Sequence, residues 1–171
     1  MAIQSLSKPV YVLLFALGSP WALASQTIDV TRMKACALTP AEIKAALRLD
    51  VRPGVPHNVV EEMPSPGGKS FYCEYAYTSP NYIGFIGLRQ DWLPLDSLAK
   101  SLAELDKFVV GKNEAVSNDP DKAHIILNPN TPNQMTLYYV RKNVRTDVLV
   151  FFNELKAKEM RPKLLKLKRV P

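Results

Sequence analysis

Residues 71–77 read Phe-Tyr-Cys-Glu-Tyr-Ala-Tyr, and their alternation decides the fold class. On an extended chain Phe71, Cys73, Tyr75 and Tyr77 share one side and Tyr72, Glu74 and Ala76 the other, which is the period-two pattern of a half-buried strand. A strand with one apolar side belongs to an antiparallel sheet that carries helices on that side. Cys73 points with the aromatics, toward the core.

The other of the chain's 2 cysteines, Cys36, opens the run 36–43, Cys-Ala-Leu-Thr-Pro-Ala-Glu-Ile. Thr39, Pro40 and Glu42 form a capping box with proline at the first helical position, and Leu38 and Ile43 stand where a hydrophobic staple would. The spacing predicts a helix from Pro40 to near Leu49, with Ile43, Ala46 and Leu47 inward and Lys44 and Arg48 outward. The extended run 50–56 ends it, with a turn signal at Pro53-Gly54. An isolated cysteine pair in an exported chain is expected to be bonded. A Cys36–Cys73 disulfide would tie the helix start to the strand, contributing about 4 kcal/mol in the chain-entropy model. The competing readings are two free buried thiols, a bridge between chains, and a redox pair, although redox pairs usually stand as Cys-x-x-Cys.

Export is read at the N-terminus. Lys8 precedes the apolar run 10–17, and Ala22-Leu23-Ala24 offers a small-x-small cleavage site, so residues 1–24 are expected to be a signal peptide removed after Ala24. The apolar run is about half the roughly 20 residues that cross a bilayer, and Gly18 and Pro20 break it. Position 25 is Ser25 and not cysteine, so the attachment site of a lipoprotein is missing. The expected location is periplasmic or secreted, with residues 25–171 as one domain. No internal repeat of about 20 to 50 residues suggests otherwise.

Beyond Cys73, residues 82–88 read as a second strand joined through 79–81, its glycines Gly84 and Gly87 marking a bulge, a bend or close backbone approach. Leu98, Leu102 and Leu105 place a helix over 95–108, closed by Gly111. A polar turn at 118–121, a short strand at 123–127 and a polar loop at 128–133 follow. Runs 135–140 and 147–152 form a hairpin around 142–146. The tail from Glu154 reads as helix, with Pro162 forcing a kink or a fresh start. The order predicts an α+β domain: an antiparallel sheet of about five strands with helices on one face.

Cys36, Leu38, Thr39, Glu42 and Ile43 at a helix start, with Cys73 and Tyr75 in a Cys-x-Tyr strand, resemble a broad group of small exported bacterial domains, many of them lipoproteins of actinobacteria and most uncharacterised. Such relatives often carry a Gly-x-Gly-Asp-x-Ala-like motif before a middle strand. Here residues 118–123 keep Asp121 and Ala123 and lack the glycines. The resemblance spans about residues 28–171 and implies the fold and the disulfide, but no reaction.

The chain holds 22 basic and 16 acidic residues, a net of +6. Residues 156–171 alone carry Lys156, Lys158, Arg161, Lys163, Lys166, Lys168 and Arg169 against Glu159, so the basicity is a property of the tail and no nucleic-acid partner is expected. Lys163, Lys166, Lys168 and Arg169 interleave with Leu164, Leu165, Leu167 and Val170. Such a helix either docks on its own sheet with lysines outward or makes weak contact with anionic membrane or an acidic partner. Phe71, Tyr75, Tyr77 and Phe85 either fill the core or form one wall of a cavity for an apolar ligand.

No catalytic residue, metal ligand or cofactor is nominated. His57 and His124 lack partners at metal-ligand spacing, and adjacent Glu61 and Glu62 would point to opposite faces of an extended chain. Asp119 and Asp121 suit a turn better than a calcium loop. Residues 66–70 lack the first glycine of a P-loop, and a strand follows them. The expected function is a non-enzymatic exported binding or interaction module, its partner an unknown protein or apolar ligand of the cell envelope. The alternatives are a carrier of a lipid or other apolar small ligand, and an inhibitor or immunity-type protein acting on an exported enzyme through the loop 128–133.

Overall fold

A computed structural model of the chain describes residues 27–57, 67–79, 84–107, 109–151 and 157–171. The expected signal peptide, Glu61, Glu62, Tyr82, Ile83, Phe108, Phe152 and Glu154 lie outside the described residues.

The capping box forms as its residues require. The Thr39 hydroxyl accepts the Glu42 N–H at 3.2 Å, and the Glu42 carboxylate accepts the Thr39 N–H at 2.8 Å. Helix α1, Pro40–Leu47, starts there and stops where Arg48 turns left-handed at φ 62°. Ahead of it Cys36 and Cys73 are bonded, their Cα atoms 5.2 Å apart. The Tyr75 hydroxyl adds a second tie, accepting the Leu38 N–H at 3.2 Å and donating to the Leu38 carbonyl at 2.9 Å. Gly54 packs onto both ties, since a Cβ there would stand 2.5 Å from Cys73 Sγ and 2.6 Å from the Tyr75 ring.

Among the described residues one sheet of seven antiparallel strands organises the rest, in the order β1-β2-β3-β7-β6-β5-β4. The strands are β1 Val55–His57, β2 Lys69–Ala76, β3 Phe85–Trp92, β4 Lys112–Ala115, β5 His124–Leu127, β6 Gln134–Arg141 and β7 Val144–Phe151. The expectation of about five strands misses β1 and β4, the two edges. Val-Pro-His and Lys-Asn-Glu-Ala have no apolar alternation, and only pairing with β2 and β5 makes them strands. The β6–β7 turn is also shorter than the expected 142–146. Lys142 takes φ 58° and Arg141 pairs with Val144, a two-residue hairpin that carries Arg145 and Thr146 into the sheet.

Strand pairing fixes which residues share a face. On the core face Cys73, Tyr75, Ile86, Leu88, Leu137 and Val148 are buried under α1 and under α3, Ala157–Leu164. The two helices pack on each other and α3 on β6. Pro162 lies inside α3, which ends two residues later. The chain then continues across the core face, burying Leu167 and Val170. Tyr139 grips this segment as Tyr75 grips the other end: its hydroxyl donates to the Val170 carbonyl at 3.1 Å and accepts the Val170 N–H at 3.0 Å. Gln90 and Thr146 both donate to the Pro171 carbonyl oxygen.

The expectation that all helices share one face fails at α2, Leu98–Asp106. The Tyr138 hydroxyl, on the face away from α1 and α3, donates to Asp106 at 3.2 Å. The stripe of Leu105 and Ser101 therefore covers one end of the opposite face, and the residues after α2 cross that face on their way to β4. Among the described residues no helix is long and apolar enough to cross a membrane.

Candidate functional site

Between α2 and the β1 edge the second face stays open, and a cleft of about 310 Å³ runs over it. Tyr72 of β2, Gly87 and Arg89 of β3, Arg145, Asp147 and Leu149 of β7, Thr136 of β6 and Ile126 of β5 form its floor, five consecutive strands of the sheet. At about 4.8 Å between strands the floor spans roughly 19 Å. Val109 and Val110, on the crossing segment, form one wall. Gly87 is where the floor is lowest: a Cβ there would meet the Tyr72 hydroxyl at 3.0 Å, so the absent side chain lets the Tyr72 ring lie down over β3.

One end of the cleft is charged. Arg89-Gln90-Asp91 on β3 runs antiparallel to Arg145-Thr146-Asp147 on β7, and the register places Arg89 opposite Asp147 and Asp91 opposite Arg145. Two arginines and two aspartates thus occupy the corners of a square, each charge beside two of opposite sign. Along the strands Arg89 Nε lies 3.1 Å from Asp91 Oδ1, and Arg145 Nε 3.3 Å from Asp147 Oδ2. Burial is unequal, with side-chain exposures of 31% for Arg89, 1% for Asp91, 8% for Arg145 and 17% for Asp147. Ser70 Oγ also donates to Asp91, and the Arg145 guanidinium lies 5.0 Å over the Tyr138 ring. Asp91 is therefore saturated. Arg145 is not: its buried Nε has no aligned hydrogen-bond acceptor among the described residues.

The square also moves a proton equilibrium. Burial pushes the Asp147 carboxyl up to about 6, against the pull of Arg145 and Arg89 and with the help of Asp91. At the other end of the row burial, and then the hydrogen bond and charge of Glu74, push the Tyr72 hydroxyl up to about 12. Tyr72 therefore stays a neutral donor, bonded to Glu74 at 3.0 Å.

The residues singled out from sequence fall elsewhere. Tyr75 and Tyr77 are buried on the core face with their hydroxyls committed to the Leu38 and Phe151 carbonyls, and Phe71 is half-buried on the same side. Phe85 pairs with Ala76 on the opposite face and packs against the Phe151 ring at 5.2 Å. These four aromatics do not make one wall, because residue 85 has the opposite parity to the residues facing the core across the β2–β3 pair. In the tail, Arg169 is bound to Asp119 at 2.7 Å and lies 4.7 Å over the Tyr139 ring, while Lys168 reaches Glu42 at 2.6 Å. Lys166 is exposed and Lys163 half-buried.

Asp119 Oδ1 accepts the N–H of Asp121 at 2.9 Å and of Ala123 at 3.3 Å, so its oxygens close a turn and hold Arg169. His57 stands 3.5 Å from Glu74, and His124 bonds Asn113 at 2.7 Å. Among the described residues no three His, Cys, Asp or Glu side chains converge to hold a metal ion. The loop 128–133 exposes Pro129, Asn130, Pro132 and Asn133 and is closed by the Asn130 N–H on the Asn128 side chain at 2.9 Å.

Sequence reading missed all four corners of the square. The signal was present as a repeated Arg-x-Asp, but charged residues end a strand when strands are read from hydrophobic alternation, so one triplet fell after the second strand and the other across a turn. No family model matches this chain, and no curated protein or solved structure matches it.

Proposed function

We propose that this chain is an exported, non-enzymatic binding module that holds a small ligand in the cleft on the open face of its sheet. The observation that carries this reading is the charged square at the cleft's end. Sinking four charges into a sheet costs several kcal/mol of desolvation per ion, and apolar cross-strand pairs would hold the same strands together without that cost. Charges kept at such expense beside an apolar trough of Val109, Ile126 and Leu149 are the composition of a recognition site. The Cys36–Cys73 bond supports an oxidising, extracytoplasmic location.

The test is the mass of the protein purified from its native compartment, recorded under native and then denaturing conditions. A ligand is expected as extra mass lost on denaturation and missing from Gly87→Val, whose side chain would fill the floor and displace Tyr72. A bare chain in both proteins would sink the proposal. A second reading, inhibition of an exported enzyme by the loop 128–133, is favoured by the exposure and internal bonding of that loop. It calls for a protein partner whose affinity falls when Pro129 and Pro132 are changed to glycine.

A further inference from the structure

We infer that the ligand is a small organic anion with an apolar body, its charged end received by Arg145 and Arg89 and its body laid along Val109, Val110, Ile126 and Leu149. This deepens the binding reading above and rests on it.

Charge complementarity selects the sign. Of the charged residues that line the cleft two are arginines and one, Asp147, is an acid. Asp91, the fourth corner, is buried beneath the lining and committed to Ser70 and Arg89. Arg145 supplies the open valence. It is nine-tenths buried and lines the cleft, and its Nε–H lies 3.3 Å from Asp147 Oδ2 without aligning on it, an imperfect pairing that lets the guanidinium exchange Asp147 for a ligand's oxygens. A guanidinium fork with Tyr138 behind it presents its donors in one plane, which suits the paired oxygens of a carboxylate, sulfonate or phosphate.

Size and polarity set the rest. At about 310 Å³ the cleft holds about ten water volumes, the lower end of the range for small-molecule sites. Val110 stands at its rim with 65% of its surface exposed, an apolar side chain that an alkyl or aryl body would cover. A bulky lipid would overrun the trough, whereas a short-chain acid fits it.

Asp147 makes the site respond to pH. Facing its carboxyl are Arg145 on its own strand, Arg89 and Asp91 on β3, Tyr138 on β6 and Tyr72 beyond Arg89 on β2. While ionised it competes for Arg145. Once protonated it releases the guanidinium, so anion affinity falls as pH rises through the carboxyl's titration near 6.

Octane-1-sulfonate, octan-1-ol and octylammonium, titrated calorimetrically into the mature protein stripped of cargo, separate the possibilities, because neither charged probe changes ionisation over the range used. One sulfonate is expected to bind per chain, at least about tenfold more tightly than the alcohol, and about tenfold more weakly at about pH 7.5 than at about pH 5. Asp147→Asn is expected to flatten that pH profile. Arg145→Lys and Arg89→Met should each weaken the sulfonate and leave the alcohol unchanged, the second variant guarding against misfolding of the first. Equal binding of alcohol and sulfonate, or tighter binding of the ammonium ion, would overturn the anion assignment while leaving the cleft a binding site. No binding of any probe would overturn the anion assignment, and together with a native mass that shows no cargo it would overturn the binding reading itself.

Discussion

Asp147 is a residue whose ionisation the fold opposes, and that fixes the sign of its effect on stability. Burial pushes its carboxyl up to about 6 in the folded chain, above the ordinary carboxylate range, so the folded state holds the proton more tightly than the unfolded one. The resulting stability, about 3 kcal/mol, is fully present below about pH 4 and is lost as pH rises through about 6. Asp147→Asn removes that loss. The variant is expected to be more stable than the parent by about 3 kcal/mol at pH 8 and nearly equal to it at pH 4, measured by urea unfolding at both. A variant less stable at pH 8 would mean that the pairing with Arg145 outweighs burial. Gly54 presents the opposite case, a residue whose only contribution is absence. Gly54→Ala places a methyl against the disulfide sulfur and the Tyr75 ring, backbone-anchored groups that cannot retreat. It is expected to cost at least about 2 kcal/mol.

At the scale of elements, what could be read in advance follows from where the information sits. The start of α1 lies in five of the six residues 38–43, and the capping box, the proline and the disulfide partner stand where sequence placed them. The eight-residue strands β2, β3, β6 and β7 show an apolar parity of their own, so their existence was legible even where their ends were not. The edges β1 and β4 have none, and neither does the choice of face for α2, which is shown by Asp106 meeting Tyr138 from another strand while Leu105 is buried. The two clamping tyrosines were equally hidden, since a tyrosine in an apolar row does not announce what its hydroxyl will bind. Their removal is a clean test of an element's anchoring. Tyr139→Phe keeps the ring under Arg169 but leaves the buried Val170 N–H and carbonyl without their partner. A loss of about 1 to 3 kcal/mol is expected, with amide exchange accelerated first in residues 165–171. Unchanged exchange there would show that Leu167 and Val170 hold the segment by packing alone.

For the molecule as a whole, the two faces of the sheet divide the work. One is sealed by α1, α3 and the closing segment; the other is left partly open, and its site is assembled from residues 72, 87, 89, 145, 147 and 149, far enough apart in the chain that no local motif could reveal it. The same division decides what the basic tail can do. A helix that docks on lipid needs a free apolar side, and here Leu164, Leu167 and Val170 are spent on the core, Arg169 on Asp119 and Lys168 on Glu42. Among the described residues the tail's exposed lysines are Lys158, Lys166 and Lys168, of which the first two are not ion-paired to an acid. Two lysines contribute about 1 kcal/mol each near an anionic surface, and that attraction decays over about 8 Å at physiological ionic strength. The expected behaviour is weak co-sedimentation with phosphatidylserine vesicles at low salt, absent at physiological salt and without change in the fluorescence of Trp92. Val170→Asp, a charge placed in the core, should lower the unfolding midpoint sharply while leaving that low-salt association as it was. Vesicle binding that survives high salt and shifts the tryptophan emission would instead require α3 and its tail to leave the sheet, exchanging the core for the membrane.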